Sequence, residues 1–188
     1  MSKRPTREEV AAAYGRTIRD VLGPGIRVLL VGINPSLYSV AVGHHFARPG
    51  NRFWKALHAA GFTETVLSPD EDVTLPARGL GLTNLVARAT AAADELSSDE
   101  LRRGARRLET LVRKHKPAYA AFLGIGAYRT AFGRPRAVVG PQPERIGTAR
   151  VWLLPNPSGL NANHQLPELT AAFRRLREAA RALSITSR

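Results

Sequence analysis

The chain has 188 residues, of which 44% are apolar and 23% charged, a composition typical of one globular domain. No cysteine is present, which excludes disulfides, thiolate metal sites, iron–sulfur clusters and cysteine nucleophiles. There is no apolar run long enough for a transmembrane helix, and the charged N-terminal stretch lacks the apolar segment of a secretory signal. We therefore expect a cytoplasmic protein.

The charge balance is strongly basic. Lysine and arginine together number 28 against 15 acidic residues, for a net charge of +13. Such an excess favours a polyanionic partner, because each neutralised phosphate releases counterions. A solvated basic surface has the same composition, so charge alone indicates a class of partner and no chemistry.

The first predicted element is an N-terminal helix within residues 1–24. Thr6 and Glu9 have the spacing of a capping box, and apolar residues follow at helical intervals as far as Val21. Gly23, Pro24 and Gly25 end this helix. The β-branched apolar run at residues 26–33 then predicts a buried strand.

The rest of the chain alternates between the two types of element. The pattern predicts, in order, a helix over 53–61, a strand over 81–86, a helix over 99–115, a strand over 118–123, a hairpin-like segment, a strand over 151–154 and a C-terminal helix. This alternation predicts a single α/β domain, an α/β/α sandwich around a central, mainly parallel four-stranded sheet, with its core at residues 25–184.

Two loops rich in Pro, Asn and Gly follow directly from predicted strands, at residues 34–51 and 155–163. Ligands of parallel sheets bind outside the carboxyl ends of the strands, so these loops are the expected site. They carry amide side chains that can bond the edge of a base, at Asn34, Asn51 and Asn156. They also carry a ring that can stack on a base, at Phe46.

Four short sequences within these loops form a recognisable pattern. They read GINP at 32–35, GHHFA at 43–47, PGNRFW at 49–54 and NPSGL at 156–160. They make up two separated motifs, each after a predicted strand, and in this order they resemble the mismatch-specific uracil/thymine-DNA glycosylase family, with similarity over residues 25–181. The resemblance implies the uracil-DNA glycosylase fold in one DNA glycosylase domain, acting as a monomer on double-stranded DNA with U·G or T·G mismatches and using no cofactor or metal.

The resemblance also implies a role for individual residues. Asn34 resembles the residue that positions the attacking water, and Ile33 and Phe46 resemble base-pocket residues, with Phe46 stacking on the flipped base. We expect Ser39 to face the same pocket. The second motif matches the segment that borders the sugar and phosphate and then inserts a wedge into the base stack: Asn156, Pro157, Ser158, Gly159 and Leu160.

Some positions depart from the family pattern or allow two interpretations. Ser36 stands where the family commonly has glycine. Asp94 is a hypothetical second catalytic residue, because a carboxylate activates water better than an amide does; the alternative is a solvated loop acid. Asn84 either approaches the pocket or only forms hydrogen bonds at a strand end. Adjacent His44 and His45 are poorly arranged to chelate one metal.

Two further expectations concern reaction type and DNA contacts. None of the four lysines, Lys3, Lys55, Lys114 and Lys116, lies in a motif, so no Schiff base and no lyase activity are expected. Among the arginines, those at positions 48 and 52 are the expected local DNA contacts.

The alternative function is a catalytically weak or inactive module of the same fold that binds mismatched or abasic DNA.

Overall fold

A five-stranded sheet organises the computed structural model, which describes residues 4–160 and 164–186. In chain order its strands are β1 (Val28–Gly32), β2 (Leu80–Asn84), β3 (Tyr119–Leu123), β4 (Gly140–Ile146) and β5 (Ala149–Leu154). The spatial order is β2-β1-β3-β5-β4, and only β4 runs antiparallel to its neighbour. Every residue of β1, β2 and β3 is buried, which explains their nearly continuous apolar sequences.

Helices cover both faces of the sheet. They are α1 (Arg7–Ala11), α2 (Leu37–Val42), α3 (Phe53–Ala59), α4 (Ser98–His115), α5 (Ile125–Phe132) and α6 (Leu166–Thr186), with 3₁₀ segments at Pro69–Arg78 and Ala93–Glu95. One core joins α3 and α6 to the sheet through Phe53 and Phe173, and a second joins α4 and α5 through Leu108 and Tyr128. The predicted α/β class, with a sheet between two helical layers, is confirmed.

The sheet has five strands rather than the predicted four. The additional strand, β4, reads GPQPERI and pairs only with β5, as the outer half of the predicted hairpin-like segment. Pro141 and Pro143 lower the strand propensity of this sequence. They are tolerated because an edge strand has one side without ladder hydrogen bonds.

The N-terminal helix is much shorter than predicted and ends at Ala11. Further along, Val21 exchanges both backbone hydrogen bonds with Leu82 of β2, at 2.9 and 2.8 Å. This pairing adds an extended segment beside the sheet and buries Val21. Contact with a distant strand thus overrides the local helical spacing, which is a weak preference by comparison.

The carboxyl ends of β1, β2, β3 and β5 lie at one edge of the sheet, where Gly32 is in register with Asn84. Both predicted site loops leave from this edge, although residues 161–163 of the second lie outside the described part of the chain. In the described ranges, no helix has the length and apolar character needed to cross a membrane.

Candidate active site

A cavity of about 130 Å³ opens at the carboxyl edge of the sheet. The turn after β1, the end of β2 with its following loop, and the second motif all contribute to its wall. Most of the predicted site residues line it: Ile33, Asn34, Ser39, Phe46, Asn156, Ser158 and Leu160. Pro157, Gly159 and Asp94 do not line it.

The amide of Asn34 is held in one orientation. Its Nδ2 donates to the carbonyl oxygen of Arg88 at 3.1 Å and to Oγ1 of Thr90 at 2.6 Å. A carbonyl oxygen only accepts hydrogen bonds, and the Thr90 hydroxyl already donates to the carbonyl of Ala92 at 2.7 Å. The NH₂ group is therefore committed to the protein, and Oδ1 is the acceptor left at the cavity.

The ring of Phe46 forms an aromatic wall. It stacks on Phe53 with ring centroids 4.0 Å apart and an interplanar angle of 20°. Phe46 has a positive φ of 54°, an uncommon conformation for a residue with a side chain. Hydrogen bonds on either side hold it there, from the His45 N–H to Asp72 Oδ2 at 3.0 Å and from the Ala47 N–H to Ser39 Oγ at 3.1 Å.

Ser36 and Ser39 join α2 to this turn. Ser36 caps α2 by accepting from the Ser39 N–H at 3.1 Å, and its hydroxyl donates to Ser39 Oγ at 3.0 Å. The serine that replaces the family's glycine is therefore a helix cap. Ser39 is buried, so it lines the cavity while supporting the turn that carries Phe46.

Asn84 brings a second amide into the cavity from the end of β2. The residue is only 4% exposed, and its side chain has no hydrogen-bond partner within the ranges described. It sits close against Gly32, where any Cβ would collide with the Asn84 Oδ1. Of the two interpretations left open by the sequence, the structure favours the approach to the pocket.

His45 is buried at the back of the cavity beside the carboxylate of Asp72. Its Nε2 donates to the carbonyl of Arg19 at 2.8 Å, and His44 Nδ1 lies 3.2 Å from Asp72 Oδ1. Burial lowers the pKa of His45 and outweighs the opposing effects of the Arg19 carbonyl and the Asp72 carboxylate. His45 therefore tends to remain neutral in the folded protein.

The second motif forms a tight, self-bonded turn. Asn156 Oδ1 accepts from the Ser158 N–H at 3.0 Å, and Ser158 Oγ accepts from the Leu160 N–H at 3.3 Å. Leu160 lies on the cavity rim and is 71% exposed. Gly159 packs against the first loop, where a Cβ would lie 2.5 Å from the carbonyl oxygen of Gly50.

Two comparisons with known proteins match this arrangement. The sequence profile described as the uracil DNA glycosylase superfamily matches residues 20–181. The chain belongs to the uracil DNA glycosylase superfamily. It is also similar to the solution NMR structure of a candidate uracil DNA glycosylase from Methanosarcina acetivorans, with a TM-score of 0.56 and 20% identity. That match covers 87% of this chain and 98% of the other, and it supports the fold.

In this member of the uracil DNA glycosylase superfamily, Arg52 is directed inward. Its guanidinium donates to the carbonyls of Ser158 and His164, at 2.5 and 2.8 Å, and to Oε1 of Gln165 at 3.0 Å. The expectation that it contacts DNA is therefore not supported, because these donors are used within the protein. Arg48 does line the cavity, as a DNA-contacting residue there would.

Asp94 lies just beyond the cavity wall of the glycosylase. The three preceding residues, Ala91, Ala92 and Ala93, line the cavity, whereas Asp94 is exposed in the second 3₁₀ segment. Its catalytic role remains a hypothesis with less geometric support than that of Asn34.

Thr90, which orients Asn34, was not predicted, because no local pattern indicates a contact between residues 56 positions apart.

Proposed function

We propose that the protein is a mismatch-specific, monofunctional DNA glycosylase. It flips uracil opposite guanine out of the duplex and hydrolyses the N-glycosidic bond, leaving an abasic site for base excision repair. Whether thymine or another damaged pyrimidine is also excised depends on the pocket around Asn84. The observation that carries the proposal is the fixed amide of Asn34, whose Oδ1 is the free acceptor at the cavity.

The proposed nucleophile is a water held by Asn34 Oδ1. Departure of the base leaves an oxocarbenium-like sugar, and the neighbouring phosphates of the substrate favour that cation. The water consequently needs orientation more than deprotonation, which an amide that is already positioned can supply. The hydrogen bonds to Arg88 and Thr90 mean that little reorganisation is required when the substrate binds.

The pocket offers three complementary contacts to a flipped pyrimidine. Phe46 supplies a face for stacking, and the buried Asn84 amide can both donate to and accept from the polar edge of uracil. The Phe46 N–H has no acceptor among the residues described, whereas its two neighbours are bonded to Asp72 and Ser39. It is the proposed donor to the carbonyl that gains charge as the base leaves as an anion.

Leu160 is the proposed wedge. Flipping a base out of the duplex costs a few kcal/mol, because the base is unstacked and unpaired, and this cost is lowest at a mismatch. An apolar side chain inserted into the vacated space replaces part of the lost stacking. The exposed position of Leu160 on the rim suits this role, because a base that enters the cavity leaves a gap in the DNA base stack close to the rim.

The absence of lyase activity in the proposal is supported by the position of the lysines. Of those that the structure describes, Lys55, Lys114 and Lys116, none lines the cavity; Lys3 lies outside the described residues. A Schiff base needs an amine beside the sugar. Borohydride trapping of the reaction should therefore yield no covalent DNA adduct, and a trapped adduct would refute the monofunctional assignment.

The test is excision from labelled duplexes carrying U·G, T·G or U·A and from single-stranded DNA carrying uracil, followed by alkaline cleavage. We expect the most strand breaks with U·G, and almost none with the Asn34→Ala variant. Wild-type protein that binds the mismatch but breaks no strand would support the alternative, an inactive binding module.

The Asp94→Ala variant tests whether Asp94 is a second catalytic residue. Unchanged single-turnover excision by this variant rejects that hypothesis, and exposed Asp99→Ala is the matched control.

A further inference from the structure

A second cavity, of about 160 Å³, opens at the opposite end of the sheet from the candidate active site. Its wall is formed where β1 and β2 begin and by α6, and it includes four arginines, Arg27, Arg78, Arg177 and Arg181. We call these residues the rear arginine cluster. The length of β1, roughly 13 Å, separates it from the catalytic end, so one nucleotide cannot occupy both cavities.

The rear arginine cluster has no ion-pair partner among the described residues. The cavity wall contains no Asp or Glu, and none of the four arginines forms an ion pair with a described residue. Four guanidinium groups around one small cavity repel each other. An anion in the cavity would relieve that repulsion.

The backbone makes room for these side chains. Gly61 has a φ of 83°, and the Arg177 guanidinium lies so close that a Cβ there would be 3.0 Å from its Cζ. The Arg27 methylenes pack over Gly79, and its Nη2 donates to the carbonyl of Ala180 at 2.6 Å. Arg177 is thus positioned by tight packing against Gly61, and Arg27 by its hydrogen bond to the Ala180 carbonyl.

Most of the donors nevertheless remain available. Arg78 uses Nη1 on the carbonyl of Thr74, at 3.0 Å, and Arg27 uses one nitrogen on Ala180. Within the described residues, the guanidinium groups of Arg177 and Arg181 have no hydrogen-bond acceptor. Forked N–H donors of this kind match the oxygens of a phosphate group and bind it bidentately.

We propose that the rear arginine cluster is a phosphate-binding site, separate from the catalytic cavity and independent of the proposed reaction. The phosphate belongs either to a small ligand, as in pyrophosphate or a nucleotide, or to the backbone of a second DNA segment. Both share the chemistry that the arginines recognise.

The experiment measures two ligands against the full chain: pyrophosphate by calorimetry, and a labelled uracil-free duplex by anisotropy. The Arg78→Gln/Arg181→Gln variant should weaken binding of at least one ligand by about tenfold or more, because bidentate contacts are lost. The control, Arg103→Gln/Arg136→Gln, removes two exposed arginines elsewhere and the same charge.

If the Arg78→Gln/Arg181→Gln variant binds only pyrophosphate more weakly, the ligand is a small phosphorylated molecule. If it binds only the duplex more weakly, the ligand is a DNA backbone. Failure of both ligands to bind saturably, or equal weakening by the two double variants, overturns the proposal. Excision of uracil by the Arg78→Gln/Arg181→Gln variant from a short U·G duplex should remain at the wild-type rate. Thermal unfolding of both variants confirms that any loss is not a loss of folding.

Discussion

The Nη2 of Arg52 donates a 2.5 Å hydrogen bond to the carbonyl oxygen of Ser158 and so fastens the second motif to the start of α3. The same residue's backbone N–H donates to the carbonyl of Pro157 at 3.0 Å. Gly50 and Gly159 are in backbone contact beside these bonds. The proposed wedge is thus held by the first motif, which also carries the pocket.

Arg52→Ala should impair excision from duplex DNA more than from single-stranded DNA. The substitution leaves the carbonyls of Ser158 and His164 without their charged donor, a loss of about 1.5–3 kcal/mol per hydrogen bond. The wedge is then poorly placed, but a base in single-stranded DNA needs no wedge. Single-turnover rates on both substrates measure the difference, with exposed Arg103→Ala as the control. An equal loss on both substrates argues against a positioning role.

Gly159→Ala should reduce excision from duplex DNA and destabilise the fold by about 1–3 kcal/mol, because the new Cβ overlaps the Gly50 carbonyl. Gly126→Ala is the matched control, since a Cβ at Gly126 meets nothing within 4 Å. In the helix α5, that control should be neutral or slightly stabilising. Urea unfolding and duplex excision check both variants. Wild-type behaviour of Gly159→Ala would show that the two loops can separate without consequence.

Thr90→Val should lower kcat for uracil excision by about fivefold and leave KM nearly unchanged. Valine cannot accept the Nδ2 hydrogen bond, so the Asn34 amide loses one of its two anchors, worth about 1 kcal/mol. Thr90→Ser keeps the hydroxyl and should restore most of the rate. Steady-state kinetics of the two variants provide the measurement. The interpretation fails if serine and valine are equally impaired.

The free energy of unfolding should fall as the pH drops below 6.5, the usual pKa of a histidine side chain. Burial lowers the pKa of His45 in the folded state, so the unfolded chain binds the proton more readily in that window. Its contribution to stability is therefore present above pH 6.5 and is lost as the pH falls toward the folded-state pKa.

Urea unfolding at about pH 7.5 and about pH 5.5 tests this dependence, because carboxylates stay largely ionised across that range. His45→Gln has no proton to gain, and its amide can still donate to the Arg19 carbonyl. The variant should flatten the pH dependence. If the slope persists unchanged in the variant, another group is responsible.

Local patterns in the sequence determined the α/β class, most of the sheet and the two loops that carry the site, whereas the individual pocket residues were implied by the family resemblance. The capping box of Ser97 and Glu100 starts α4 as its spacing indicates, and the loops that carry Asn34 and Leu160 follow directly from buried strands. Such signals depend on neighbours within one turn or one strand, so the sequence alone reveals them.

Only the tertiary structure decided the contacts between distant segments. It turns Arg52 inward to a carbonyl more than a hundred residues away, uses Thr90 to orient Asn34, and gathers Arg27 and Arg177 at one cavity. It also makes β4 a strand in spite of its prolines. A side chain's partner depends on which segments the closed fold brings together, and no local periodicity contains that information.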